Sequence, residues 1–143
     1  MTLPDPERTL LEAVVGAMIP ADPALGVPGA DDPAILDDLV ASLGRDLAAV
    51  RQGLAALAAR GFAGLDRDRR EALLNELAKA GHPGMAAIGR VTVGAYYRDP
   101  RVLRSLGMEA GAPFPRGHAL EPGDWSLLDV VKTRAPFWRD DRA

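Results

Sequence analysis

DPAILDDLVASLGRDLAAVRQGLAALAARG, residues 32–61, decides the fold class. Asp32 followed by Pro33 is an N-cap acid ahead of a proline at the first helical position, where the missing N–H costs nothing. From there Ile35, Leu36, Leu39, Val40, Leu43, Leu47, Val50, Leu54 and Leu57 recur at helical spacing as far as Gly61, so they share one face of a helix rather than alternating across a strand. Gly44 costs about 1 kcal/mol against Ala in a helix interior, so a break between Leu43 and Asp46 fits the pattern as well as one uninterrupted element does. Either way the stretch is α-helical and one-sided, and it needs other apolar faces to cover it.

Those faces lie on both sides of it. Upstream, Asp5-Pro6-Glu7 repeats the cap-plus-proline signal, and Leu10, Leu11, Val14, Val15 and Met18 form a second stripe until Pro20 forces Ile19 out of the α region. Pro23, Gly26, Pro28 and Gly29 mark 21–31 as a loop. Downstream, Leu65 before an Asp66 cap opens a helix with Leu73, Leu74 and Leu77 inward, Arg67 to Glu71 in water, and Gly81 as its stop. Met85, Ile88, Thr92 and Tyr96 keep a helical period from Pro83 to Arg98 despite the β propensity of Val91-Thr92-Val93, and Gly89 and Gly94 are expected to bring neighbouring backbones close. Asp99-Pro100 starts a short helix through Leu106, stopped by Gly107. The expectation is an all-α domain of four to six helices over residues 1–106.

After that the texture changes. Gly111, Pro113, Pro115, Gly117, Pro122 and Gly123 leave no room for a regular helix before Trp125 to Thr133, so 107–143 reads as an extended, Pro/Gly-rich C-terminal arm carrying both tryptophans, Trp125 and Trp138, beside Phe137.

Composition narrows the function. The 143 residues are 48% hydrophobic and 26% charged, as in an ordinary globular chain, and only 5% aromatic, so the core is built of Leu, Val, Ile and Ala, which suits closely packed helices. A net charge of −3 offers no concentrated positive field for a phosphate backbone, so nucleic acid is not expected as a partner. Without cysteine there is no disulfide, thiolate metal site or Cys nucleophile. No charged start precedes an apolar stretch at the N-terminus, and no window reaches the 18 apolar residues of a span, so a cytoplasmic chain without direct membrane insertion is expected.

Reactive groups are few. His82 and His118 stand alone in Gly/Pro-rich loops, without the helical His pair of a zinc or iron site, and a small enzyme built on either with a carboxylate is the weakest of the readings. No Gly-rich fingerprint joins a strand to a helix, so no flavin or nicotinamide site of that type is expected in this chain. Asp31-Asp32 and Asp37-Asp38 are expected to cap helices. Tyr96-Tyr97 project in different directions from one helix, so either one enters the core while the other reaches a partner, or both serve to pack the tail. Arg supplies fifteen of the seventeen basic residues, and the clusters Arg98, Arg101, Arg104 and Arg134, Arg139, Arg142 are candidate contact surfaces.

Several segments in order resemble the gluconate 2-dehydrogenase subunit 3 family, the small subunits of membrane-linked sugar and polyol dehydrogenases. They are Ala17-Met18-Ile19-Pro20-Ala21-Asp22 followed by Pro28-Gly29-Ala30; Ile35-Leu36-Asp37-Asp38-Leu39; Gly61-Phe62 and Leu65; Arg90-Val91-Thr92-Val93-Gly94-Ala95-Tyr96-Tyr97 leading to Asp99-Pro100; and Leu106-Gly107-Met108 with the Pro113, Pro115, Gly117 tail. The chain departs from the family in lacking a twin-arginine export signal and in carrying Met85-Ala86 where relatives have adjacent aromatics. The resemblance implies a noncatalytic partner of a large flavoprotein of the glucose-methanol-choline oxidoreductase class, which carries the FAD and oxidises a sugar or alcohol. The residues expected at that contact are Tyr96, Tyr97, Arg98, Arg101, Arg104, His118, Trp125, Phe137 and Trp138. The alternative is a free-standing helical binding or regulatory protein, with a homodimer exchanging its arms as one form.

Overall fold

Proline, acid and glycine punctuate the chain much as their chemistry requires. The structure, a computed structural model, describes residues 3–111 and 122–135, and the chain divides into two units, Met1–Gly111 and Ala112–Ala143. In the first unit, helix α1 (Asp5–Met18) enters behind Pro4, whose carbonyl accepts from Arg8 N–H at 2.9 Å. Asp5 is therefore the first helical residue and not the cap, because the fixed φ of Pro4 already sets the extended entry. Ile19, ahead of Pro20, ends α1 in an extended conformation.

The 32–61 stretch is two helices. Asp32 caps α2 (Pro33–Ala41) by accepting from Ala34 N–H at 3.0 Å, and a 3₁₀ turn at Gly44–Asp46 leads into α3 (Leu47–Ala59). The break falls at Gly44 because its φ of +44° lies in the left-handed region, which glycine enters without a Cβ penalty. The apolar stripe survives the break, since Leu43 remains 3% exposed. A second 3₁₀ turn, Phe62–Gly64, precedes α4 (Arg67–Lys79), whose cap Asp66 accepts from Arg69 N–H at 2.9 Å. Helices α5 (Pro83–Tyr96) and α6 (Pro100–Ser105) follow, capped by His82 and Asp99.

Helix α5 is the centre of the unit, packed against α3 and α2 while α1 lies on α3 and α4. The core runs from Leu11, Val14 and Val15 through Leu39, Leu54 and Leu57 to Phe62 and Ile88, all wholly buried. Thr92 is wholly buried too, and its hydroxyl donates to Ile88 O at 2.7 Å, which satisfies the one polar group of the β-prone run inside the helix. The all-α expectation holds, and no strand occurs among the described residues.

The glycines that let backbones meet are not Gly89 and Gly94. A Cβ at Gly89 would find only Met18 Cε at 3.8 Å, and one at Gly94 only Arg98 Nη1 at 3.9 Å. The close approach is Gly53 on α3 against Gly84 on α5, where a Cβ on Gly84 would lie 2.5 Å from Gly53 Cα and 2.8 Å from Ala49 O. Gly89 and Gly94 sit on the outward side of α5, and the contact between α3 and α5 lies at its buried start.

In the second unit the described residues form a 3₁₀ turn, Trp125–Leu128, continuing into α7 (Asp129–Lys132), with Asp124 accepting from Ser126 N–H at 3.0 Å at its start. His118, Phe137 and Trp138 lie outside the described residues, as do Arg139 and Arg142.

Candidate functional site

Of the residues expected at a contact, Tyr96 and Tyr97 part as their adjacency on one helix allows. Tyr96 is 6% exposed and donates its hydroxyl hydrogen to Pro28 O at 3.1 Å, tying the 21–31 loop to α5. Burial pushes this hydroxyl above the ordinary phenol range, so it remains a donor. Tyr97 is half exposed, with its ring edge-on to Tyr96 at 5.4 Å. It continues an outward strip of α5 that includes the exposed Val93 one turn earlier.

Two of the arginines are engaged in ion pairs within the fold, at its surface. Arg98 reaches back to α2, donating to Asp38 Oδ2 from Nε at 3.0 Å and from Nη2 at 2.7 Å, and to Ser42 Oγ at 3.0 Å. Arg101 grips Asp32 with two parallel bonds of 2.9 and 2.7 Å and Asp99 with two more of 3.0 and 2.9 Å. One guanidinium thus joins the cap of α2 to the cap of α6, a planar multi-donor task that Lys does not perform. Arg104 is exposed and makes no ion pair among the described residues. Of the acidic pairs, only Asp32 caps a helix; Asp37 pairs with Arg8 at 2.6 Å, and Asp38 with Arg98. Asp31 packs where a Cβ on Gly16 would lie 2.8 Å from its Oδ2.

The Arg101 clasp makes stability depend on acid. Hydrogen bonds from Arg101 hold both Asp32 and Asp99 below the ordinary carboxylate value of 3.8. A depressed folded-state pKa contributes stability that is fully present above the unfolded value and is lost as pH falls through the folded one. Arg101→Gln therefore costs about 1 kcal/mol at neutral pH, a figure kept small because the guanidinium is partly exposed, and the difference from the parent shrinks once pH falls below the ordinary carboxylate value of 3.8 and is lost as pH passes through the lowered folded-state values. Urea titrations across that range check it, and a pH-independent difference would assign the loss to packing instead.

His82 has a structural role: its Nδ1 accepts from Gly84 N–H at 3.1 Å at the start of α5. Beside it lies a feature that sequence reading did not find. A cleft of about 620 Å³ opens between the C-terminal end of α1 and the α4–α5 corner. Leu74 and Met85 floor it; Ala78, Ala86 and Gly89 keep it open; Arg67, Glu71 and Asn75 line its rim on successive turns of α4. The periodicity marked each helix's buried face correctly, but a gap between three helices has no signature in any one of them.

Trp125 is 72% exposed, and the same two turns leave Leu127 at 76%, Leu128 at 44%, Val130 at 68% and Val131 at 52%. Five large apolar side chains are thus exposed within seven residues. No described helix is long and apolar enough to cross a membrane, and no group of three or more His, Cys, Asp or Glu that could hold a metal ion occurs among the described residues. No protein-family model, curated protein or solved structure matches this chain.

Proposed function

We propose that this protein is the noncatalytic small subunit of a heteromeric FAD-dependent dehydrogenase of the glucose-methanol-choline class, acting on a sugar or alcohol through its large flavoprotein partner. The observation that carries the reading is the exposed apolar run Trp125–Val131. Trp125, Leu128 and Val131 fall at successive helical turns, the pattern of an anchor that enters a groove on a partner, and Trp is the residue type most enriched at binding hot spots. The outward Val93 and Tyr97 of α5 offer a second apolar contact on the helical body. The identity of the partner is drawn from the resemblance of the Ala17–Asp22, Ile35–Leu39 and Arg90–Tyr97 segments to the small-subunit family.

In this reading the FAD and the reacting centre belong to the large subunit. The small chain acts by mass action: binding only the folded flavoprotein at a hundredfold over Kd stabilises it by about 2.7 kcal/mol. It also covers apolar surface that would otherwise aggregate.

Co-expression with a flavoprotein of that class from the same organism tests the proposal. The expected result is that the flavoprotein is soluble and FAD-loaded only with this chain. The double variant Trp125→Ser, Leu128→Ser is expected to weaken the complex by about a hundredfold or more, each hot-spot residue being worth about 2 kcal/mol. A flavoprotein equally soluble, loaded and active alone would sink the idea. A stable homodimer of the purified chain that ignores the flavoprotein would favour a free-standing regulatory protein instead.

A further inference from the structure

We propose that the cleft between α1, α4 and α5 is a binding site for a single-chain amphipathic carboxylate, a fatty acid of about ten to twelve carbons, its chain along the α4–α5 floor and its head at Arg67. The assignment does not depend on the flavoprotein reading.

Shape is the first argument. The lining of α4 runs from Arg67 to Ala78, eleven residues or about 16 Å of helix. The floor along that length is apolar: Leu74 and Met85 at its base, Met18 at the α1 side, Ala78 and Ala86 on the walls. A volume near 620 Å³ lies within the range of ligand-sized pockets, which are apolar with a few polar groups that fix orientation. Unbranched Met18 and Met85 adapt to a flexible chain better than β-branched side chains would.

Charge is the second. Arg67 stands at one end and, like Arg45 and Arg104, makes no ion pair among the described residues, whereas Arg60, Arg69, Arg90, Arg98 and Arg101 are paired to carboxylates; Glu12 and Asp31 line the neighbouring cleft on its other side without pairing to it. Glu71 lies one turn further along the same rim, and Arg ahead of Glu at this spacing is the weaker orientation for a helical ion pair. The guanidinium is thus available to a ligand carboxylate in a bidentate contact, and Glu71 opposes that contact from its side. Two chemical consequences follow: a cationic head of the same chain length is disfavoured at Arg67, and removing the charge of Glu71 strengthens the site for an anion.

The experiment is calorimetric titration of the purified full chain with laurate below its micelle concentration, beside dodecyltrimethylammonium as the cationic control. Saturable one-to-one binding of laurate is expected, with Arg67→Ala weakening it about tenfold and Glu71→Gln tightening it severalfold. Gly89→Leu, whose side chain grows into the cleft from a position with only Met18 Cε at 3.8 Å, is expected to abolish binding without lowering the melting temperature. Absence of saturable binding, equal binding of the cationic amphiphile, or full binding by Gly89→Leu would each overturn the assignment. Circular dichroism of every variant separates loss of the site from loss of the fold.

Discussion

Gly84→Ala destabilises the helical unit by about 2 to 3 kcal/mol, whereas Gly89→Ala on the same helix stabilises it by about 0.5 kcal/mol or more. Both changes add one methyl group and both favour the helix locally, so the opposite signs come entirely from what that methyl meets. At Gly84 it meets backbone: Gly53 Cα at 2.5 Å and Ala49 O at 2.8 Å. No side-chain rotation relieves such a contact, and α3 and α5 must separate, loosening the packing of Leu54, Leu57 and Ile88. At Gly89 the methyl meets Met18 Cε at ordinary van der Waals distance. Urea denaturation followed by far-ultraviolet circular dichroism reads both, and Gly84→Ala is expected to lower the melting temperature by roughly 10 °C. Gly53→Ala jams the same contact from the other helix, so the double variant costs less than the two single losses together. A Gly84→Ala protein as stable as its parent would show that α3 and α5 are held by something other than this approach.

The same pair of glycines shows where sequence reading stops. The starts of α2, α4 and α6 announced themselves locally, because an acid ahead of proline, or Leu65 before Asp66, does its work within a few residues, whereas α1 begins at the residue expected to cap it and α3 grows out of a 3₁₀ turn with no side-chain cap. The interruption at Gly44 was legible as a choice between one helix and two, since the stripe passes through it unbroken. Which glycine touches another backbone was not legible, for Gly53 and Gly84 are partners through folding and not through spacing. Arg98 and Arg101 tell the same story: their composition suggests binding surfaces, yet the carboxylates of α2 and its cap that they hold, Asp38 and Asp32, stand 60 and 69 residues away along the sequence and are brought into contact by the fold. Within the candidate contact set, helical geometry allowed one tyrosine to turn inward and the other outward, and the fold decides for that arrangement over both packing the tail. The cleft at the α4–α5 corner had no counterpart in the sequence, because small residues such as Ala78, Ala86 and Gly89 read as helix formers or close-packing positions until their neighbours are in place.

Phe62→Ala is expected to cost about 4 kcal/mol, the largest loss for a single truncation among the described residues. Phe62 heads the wholly buried side chains by volume, and it sits on the short 3₁₀ turn that joins α3 to α4. Its removal leaves a ring-sized void at the turn that joins α3 to α4, and Arg70 cannot fill it. That guanidinium lies 5.4 Å from the ring centroid and donates to Phe62 O at 3.3 Å and Ala63 O at 2.7 Å, so it seals the turn from outside. Arg70→Met, which keeps the apolar stem and loses the charge, is accordingly expected to cost only about 1 kcal/mol. Phe62→Leu falls between, at about 1.5 kcal/mol, because most of the void is refilled. The order Phe62→Ala, Phe62→Leu, Arg70→Met in urea midpoints distinguishes a joint held by buried volume from one held by the cation above it. If Arg70→Met proved the most damaging of the three, the turn would be fixed by its carbonyl contacts, and α4 would take its direction from the surface rather than the core. With the volume ordering, the wall of the cleft that α4 provides is anchored from beneath, and substitutions on its rim at Arg67 and Glu71 change binding without moving the helix.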